Sequence, residues 1–155
     1  QYTATYGMDI RQARLFFVYG PGKRPSHMHA VYQAMFGPLE GLRDVHPDNG
    51  RDQTTDWTHV EDTARGILAL FDADSVPHRH YNISCGVPIA HQDIVDSVTD
   101  LLGHDSGMRL GPGPFVVRGS PLDITRARTD LGFEPRFTDI REGLEDYHRW
   151  LKKNA

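Results

Sequence analysis

The sequence predicts an α/β fold, and three observations predict it. Residues 13–19 form a tight apolar and aromatic run cut off by Gly20-Pro21-Gly22, the pattern of a buried parallel strand with both faces covered. Amphipathic helical stretches then alternate with short strand-like runs. The 155 residues, 38% hydrophobic and 25% charged, have the size and composition of one ordinary domain able to bury its own core.

The first strand lies within residues 10–19. A polar loop follows at 22–27, and residues 29–36 carry good helix formers up to Gly37-Pro38, which stops the helix. Residues 39–55 are rich in Gly, Asp, Asn and Pro, with room for one short strand at 42–46. Residues 56–62 alternate and lead into an amphipathic helix over 63–71, with Ala64, Ile67, Leu68 and Phe71 at helical spacing. Residues 80–84 read as a brief strand closed by Cys85-Gly86. A helix at 92–102 has Ile94, Val95, Val98, Leu101 and Leu102 on one face and Gly103 after its end. The Gly/Pro-rich passage 107–114 has room for another short strand. Residues 123–131 and 139–152 read as helices, the second with Ile140, Leu144, Tyr147, Trp150 and Leu151 as its core stripe.

Bulk properties exclude several function classes. A net charge of -4 with scattered Lys and Arg provides no field for phosphate backbones, so no nucleic-acid partner is expected. No apolar run approaches the roughly eighteen residues that cross a bilayer, so no membrane partner is expected either. The single cysteine, Cys85, forms no internal disulfide and fits a reducing compartment, with the cytoplasm as default. A start at Gln1, with a strand following almost at once, reads as a chain entered partway through.

Four segments in order carry a family resemblance. Arg14-Leu15-Phe16-Phe17-Val18-Tyr19-Gly20-Pro21-Gly22 is similar to Arg-x-x-Asn-Val-Tyr-Gly-Pro-Gly, and Thr55-Asp56-Trp57-Thr58-His59-Val60-Glu61-Asp62 to Arg-Asp-aromatic-x-His-Val-x-Asp. Tyr81-Asn82-Ile83-Ser84-Cys85-Gly86 is similar to Tyr-Asn-Ile-Gly-x-Gly. Leu122-Asp123-Ile124-Thr125-Arg126-Ala127-Arg128 follows, then Leu131-Gly132-Phe133-Glu134-Pro135 and a closing helix. The chain resembles the extended short-chain dehydrogenase/reductase family of nucleotide-sugar epimerases and dehydratases. The resemblance implies the C-terminal part of a Rossmann-type doubly wound sheet plus the small substrate-binding lobe, over residues 1–155, without the N-terminal nucleotide-binding half.

The family's Gly-rich pyrophosphate turn and its Tyr-x-x-x-Lys helix are absent, so no catalytic residue is expected in this chain. Tyr19 and Lys23 have the right spacing, but Gly20-Pro21-Gly22 between them forbids the shared helical face. The resemblance implies that NAD or NADP, bound mainly by the other half, meets Leu15, Phe16 and Phe17 here, and that a sugar-type substrate meets Phe17, Ser26, His27, Thr55 and Arg118. Phe17 stands where relatives use Asn toward the substrate phosphates, and Thr55 where many have Arg. Both departures leave room for a smaller substrate such as a free sugar acid or lactone. A plain helix cap is the competing reading of Ser26.

His59 reads as sheet packing and Asp62 as the cap of the helix beginning near residue 63. Cys85 reads as a packed small residue. The pairs His27/His29 and His78/His80 put i and i+2 on different faces, with no further ligands at suitable spacing, so no metal is expected. The function implied is the substrate-binding half of an NAD(P)-dependent sugar or nucleotide-sugar epimerase/dehydratase, homodimeric when complete and inactive as this piece alone. The alternatives are a sugar-acid dehydrogenase of the same family and a non-catalytic ligand-binding relative.

Overall fold

A computed structural model describes residues 2–116 and 120–154. The strands form three two-stranded ladders. β1 (Gln12–Leu15) pairs parallel with β5 (His80–Ile83), in the register Gln12↔His80 to Leu15↔Ile83. β2 (Val18–Tyr19) pairs parallel with β4 (Thr58–His59), and β3 (Thr54–Thr55) antiparallel with β6 (Ile89–Ala90). The helices are α1 (Tyr2–Tyr6), α2 (Ala30–Phe36), α3 (Val60–Asp72), α4 (His91–Leu102), α5 (Thr125–Leu131) and α6 (Ile140–Lys153).

The run expected as one strand is broken in two. Phe17 sits at φ 33, a region in which a bulky side chain is uncommon, and it turns the chain so that β1 and β2 take different partners. Nor are both faces of β1 covered: Leu15 is 45% exposed.

α2 starts where His29 accepts the Tyr32 N–H on Nδ1 at 3.2 Å. Gly37-Pro38 ends α2 as expected. The chain tightens into a 3-10 turn, Gly37–Glu40, with Pro38 in its first turn where its missing N–H costs nothing. Residues 42–46 form no strand, because Asp44 has φ 60 and the Val45 N–H donates to Met108 Sδ at 3.2 Å. In 107–114 only Gly111 bridges, to Gly50.

α3 begins three residues earlier than its sequence suggests, and His59 is its cap: His59 Nδ1 accepts the Glu61 N–H at 3.3 Å. Asp62 is not a cap. Its buried carboxylate accepts the N–H groups of Arg136 and Phe137, both at 2.8 Å, and so fastens α3 to the α5–α6 connection. The helix is also rotated relative to its apolar stripe. It buries Asp62, Thr63, Gly66 and Leu70, with Gly66 close against Ile83, and leaves Ile67, Leu68 and Phe71 42%, 57% and 80% exposed. An amphipathic helix normally turns such a stripe inward.

α4 buries Ile94, Val95 and Val98 and ends at Gly103 in the left-handed region. α6 is capped by Asp139, whose carboxylate accepts the Arg141 N–H at 2.9 Å. The larger core joins Tyr19, Phe36 and Trp57 to α4 and to Leu144 and Tyr147 of α6. A smaller one joins Leu70, Tyr81, Ile83, Ala127 and Phe133. Each fully buried aliphatic or aromatic side chain there stabilises the fold by roughly 1.5–3 kcal/mol.

Candidate functional site

The break at Phe17 lies where the two parallel ladders meet. Its ring stands 4.6 Å from that of Phe16 and 4.9 Å from that of the fully buried Trp57, while Phe16 and Phe17 themselves stay half-buried. Thr58 holds the break from below: its hydroxyl donates to the Phe16 carbonyl at 3.3 Å and accepts the Cys85 N–H at 3.1 Å. Asp56, also buried, accepts the N–H groups of Gly86 and Leu122, each at 3.1 Å. The Thr-Asp-Trp-Thr-His segment thus ties three chain passages together beneath one spot.

After the break, the chain turns through Gly20, which approaches the His59 ring so closely that a Cβ would meet Nε2 at 2.9 Å. Tyr19 is fully buried, its hydroxyl pointing at Gly143 of α6, and burial raises its pKa above the ordinary phenol value. Lys23 folds back so that Nζ donates to the Val18 carbonyl at 2.8 Å and lies 4.8 Å over the Tyr32 ring, and partial burial lowers its pKa. Tyr19 and Lys23 therefore point to different partners and share no helical face. The Tyr147 hydroxyl donates to the Lys23 carbonyl and anchors the turn to α6.

The expected site residues are not all together. Thr55 is fully buried, and its hydroxyl is paired with His91 Nε2 at 2.7 Å, pointing into the protein. Burial pushes His91 down to about 4, so it is neutral at physiological pH. Ser26 and His27 are exposed on the 3-10 turn Pro25–His27, and Ser26 caps no helix. Its N–H donates to Glu40 at 3.0 Å. They line a cavity of about 480 Å³ with Arg24, Glu40, Leu151 and Lys152, and neither Phe17 nor Thr55 is among its walls. Arg118 lies outside the described residues.

Two side chains that are not among the expected site residues close on the passage at Phe115. His29 stacks on Phe115 with ring centroids 4.6 Å apart, and burial, then the Lys23 charge, lower its pKa. Gln53 clamps the same passage: Oε1 accepts the N–H groups of Phe115 and Val116 at 2.6 and 2.9 Å, and Nε2 donates to the Val116 carbonyl at 2.9 Å. A Gln ahead of a two-residue strand gives no sequence signal for such a clamp. Cys85 is buried beside the Phe137 carbonyl and its thiol is pushed up to about 11, the state of an inert packed residue. Among the described residues no three His, Cys, Asp or Glu side chains converge to hold a metal ion, and no helix is long and apolar enough to cross a membrane.

Comparison with known proteins extends the picture beyond these contacts. The model of the NAD dependent epimerase/dehydratase family matches residues 1–84. The UDP-glucuronate 4-epimerase of Thermodesulfobacterium geofontis is 29% identical, over 99% of this chain and 46% of its own length. The epimerase Mth375 of Methanothermobacter thermautotrophicus superposes with a TM-score of 0.83 and 26% identity, over 99% of this chain and 46% of that one. MoeE5, solved with UDP-glucuronic acid and NAD, superposes with a TM-score of 0.77 and 28% identity, over 92% of this chain and 47% of that one. The chain spans about half the length of the relatives it matches. Its short parallel ladders, set among helices, are part of their Rossmann-type α/β fold. With more than half of its residues matched by the family model and its described fold superposing on the family's enzymes, the chain belongs to the NAD-dependent epimerase/dehydratase family.

Proposed function

We propose that residues 1–155 form the substrate side of a longer NAD(P)-dependent sugar or nucleotide-sugar epimerase or dehydratase, and that the nucleotide-binding half lies outside them. The observation that carries this reading is the superposition over 92% of the chain on MoeE5, solved with UDP-glucuronic acid and NAD. Bound NAD(P) would accept a hydride from a carbinol carbon of the sugar. The end of β1 fits a nicotinamide ring, because Leu15 is 45% exposed and Phe16 half-buried, an apolar surface at the C-terminal end of a parallel strand. In this reading Phe17 walls the sugar, Lys23 and Tyr147 hold the turn beside it, and Ser26 and His27, in their separate cavity, and Arg118, outside the described residues, are further substrate candidates.

The test is the full-length protein with NAD or NADP and a panel of UDP-glucose, UDP-glucuronic acid, dTDP-glucose and free sugar acids, followed by reduced-cofactor absorbance and product NMR. Turnover of a nucleotide sugar supports the proposal. Absence of both turnover and cofactor binding would sink it and favour a non-catalytic ligand-binding relative.

A second reading, a sugar-acid dehydrogenase, is favoured by one pair of observations. Phe17 packs on Trp57, and Thr55 is buried against His91, so neither offers a diphosphate the polar group of an Asn or Arg. Net reduction of NAD by a free sugar acid, with no turnover of nucleotide sugars, is the outcome that selects it.

A further inference from the structure

We propose that Phe17 and Lys23 select a sugar that carries a carboxylate, the Phe17 ring receiving an apolar face of the sugar and the Lys23 ammonium its carboxylate. This rests on the reading of these residues as the substrate side of an enzyme given above. It names the substrate class and the two side chains that choose it.

The first observation is the backbone at Phe17. Apart from glycines, the described residues with a positive φ are Phe17, at 33, and Asp44, at 60. Aspartate enters this region more readily than most side chains, whereas a bulky ring there strains the chain. Such strain persists only where the surroundings over-determine it, and it gathers at functional sites. Thr58 supplies the hold: its N–H donates to the Phe17 carbonyl at 3.1 Å, and its hydroxyl donates to the Phe16 carbonyl at 3.3 Å. Core packing does not account for the ring, which stays half-buried against Trp57. The strain therefore presents an aromatic surface that is already in place when a ligand arrives. Its negative π face attracts the C–H face of a sugar ring and offers nothing to a phosphate.

The second observation is the cation beside it. Gly20 and Gly22, at φ 114 and 87, fold the chain back on itself. Lys23 thereby returns to the residue that follows Phe17, with Nζ 2.8 Å from the Val18 carbonyl and 4.8 Å over the buried Tyr32 ring. Tyr32 packs on Trp57, the same ring that Phe17 touches, with centroids 5.6 Å apart. The ammonium thus stands at the same aromatic cluster as Phe17. It is partly stripped of water, and no carboxylate among the described residues pairs with it. This desolvation lowers its pKa, an effect that a bound anion reverses. An ammonium has three N–H donors, and the Val18 carbonyl takes one, so donors remain for one carboxylate.

The experiment is calorimetric binding to the full-length protein with saturating NAD, using two pairs of ligands: glucuronate with glucose, and UDP-glucuronic acid with UDP-glucose. In at least one pair the carboxylated member is expected to bind about 10-fold more tightly, and the pair that shows it tells whether the sugar acid is free or nucleotide-linked. Lys23→Met should remove most of that preference, and Lys23→Arg, which keeps the cation, should retain it. Phe17→Leu should weaken both members of the pair by roughly 5-fold and leave their ratio unchanged. Phe17→Asn should leave Tm unchanged or higher, since relief of strain offsets the lost contact, and a fall of more than about 4 °C overturns the strain argument. A carboxylate preference that depends on Lys23, in a protein that turns over no sugar, supports the selection and sinks only the enzymatic reading. Equal affinity for charged and neutral sugars, an equal loss for both in Lys23→Met, unchanged affinity in Phe17→Leu, or no binding of any of the four overturns it, whether or not the enzyme turns over another substrate.

Discussion

Gly143 lies in the first turn of α6, and replacing it with alanine sets two effects of opposite sign against each other. Helix propensity alone favours Ala over Gly by about 1 kcal/mol. A Cβ at that position, however, would overlap the Tyr19 hydroxyl and stand 2.9 Å from Cζ and 3.3 Å from Cε2 of the same ring. Tyr19 is fully exposure-free between Phe36, at 5.4 Å, and His59, at 5.3 Å between ring centroids, so it has no room to retreat. Overpacking of this kind costs on the order of 1–3 kcal/mol or more, and the overlap here is with a fully buried ring wedged between two others, so the clash wins. Gly143→Ala is expected to destabilise by a net ~2 kcal/mol, read as a fall in Tm of roughly 4–8 °C for a domain of this size. Tyr19→Phe removes the overlapping oxygen, which is buried without a hydrogen-bond partner, and so costs little by itself. In the double variant more than half of the Gly143→Ala loss should be recovered, measured by a double-mutant cycle in urea. A Gly143→Ala protein as stable as the parent, or a cycle with no coupling, refutes the packing described between α6 and the turn.

Three further outcomes follow from contacts already described. Asp62→Asn keeps the volume but offers the Arg136 and Phe137 N–H groups only one acceptor oxygen, so a loss of about 2–3 kcal/mol in urea denaturation is expected, and a loss below ~0.5 kcal/mol would contradict the latch. His91, lowered from 6.5 to about 4, contributes stability that is fully present above pH 6.5 and lost as pH falls toward 4. His91→Gln should flatten that part of the stability–pH curve, and an unchanged slope between pH 6.5 and 4 would count against it. Cys85, with its thiol pushed up to about 11, should stay unreactive toward a disulfide reagent at pH 8 until the protein is unfolded; rapid labelling of the folded protein would contradict its burial.

What the sequence could deliver was set by how local each signal is. Helices α2, α4, α5 and α6 are readable within a few residues, because their signals are local: the capping side chains of α2 and α6, the closing glycines of α2, α4 and α5, and the apolar spacing of α4 and α6. α1 went unrecognised, a five-residue helix with no buried residue. The ladder β3–β6 has two residues per strand, too few for a period to register. The break at Phe17 was hidden, since a run of apolar residues says nothing about which partner each part will find. The face that α3 buries was misleading for a related reason. Its stripe of Ile67, Leu68 and Phe71 is a true amphipathic pattern, but no surface among the described residues covers it, and the core takes Gly66 and Leu70 instead. At the candidate site, the place of Phe17 two residues before Tyr19-Gly20-Pro21-Gly22 marks it as a candidate, but not its packing on Trp57. The inward turn of Thr55 toward His91 could not, because it depends on a partner 36 residues away.

In terms of connectivity, the break at Phe17 is where the chain leaves the smaller hydrophobic cluster for the larger. Ala13 belongs with the smaller cluster and Tyr19 with the larger, and the segment between them is gripped by β5 on one side and β4 on the other. The turn at Phe16 and Phe17 therefore carries the chain from the smaller cluster to the larger, next to the Thr58 hydroxyl that donates to the Phe16 carbonyl. A substitution that reshapes the aromatic surface at Phe17 therefore also alters the one turn by which the two ladders take different partners.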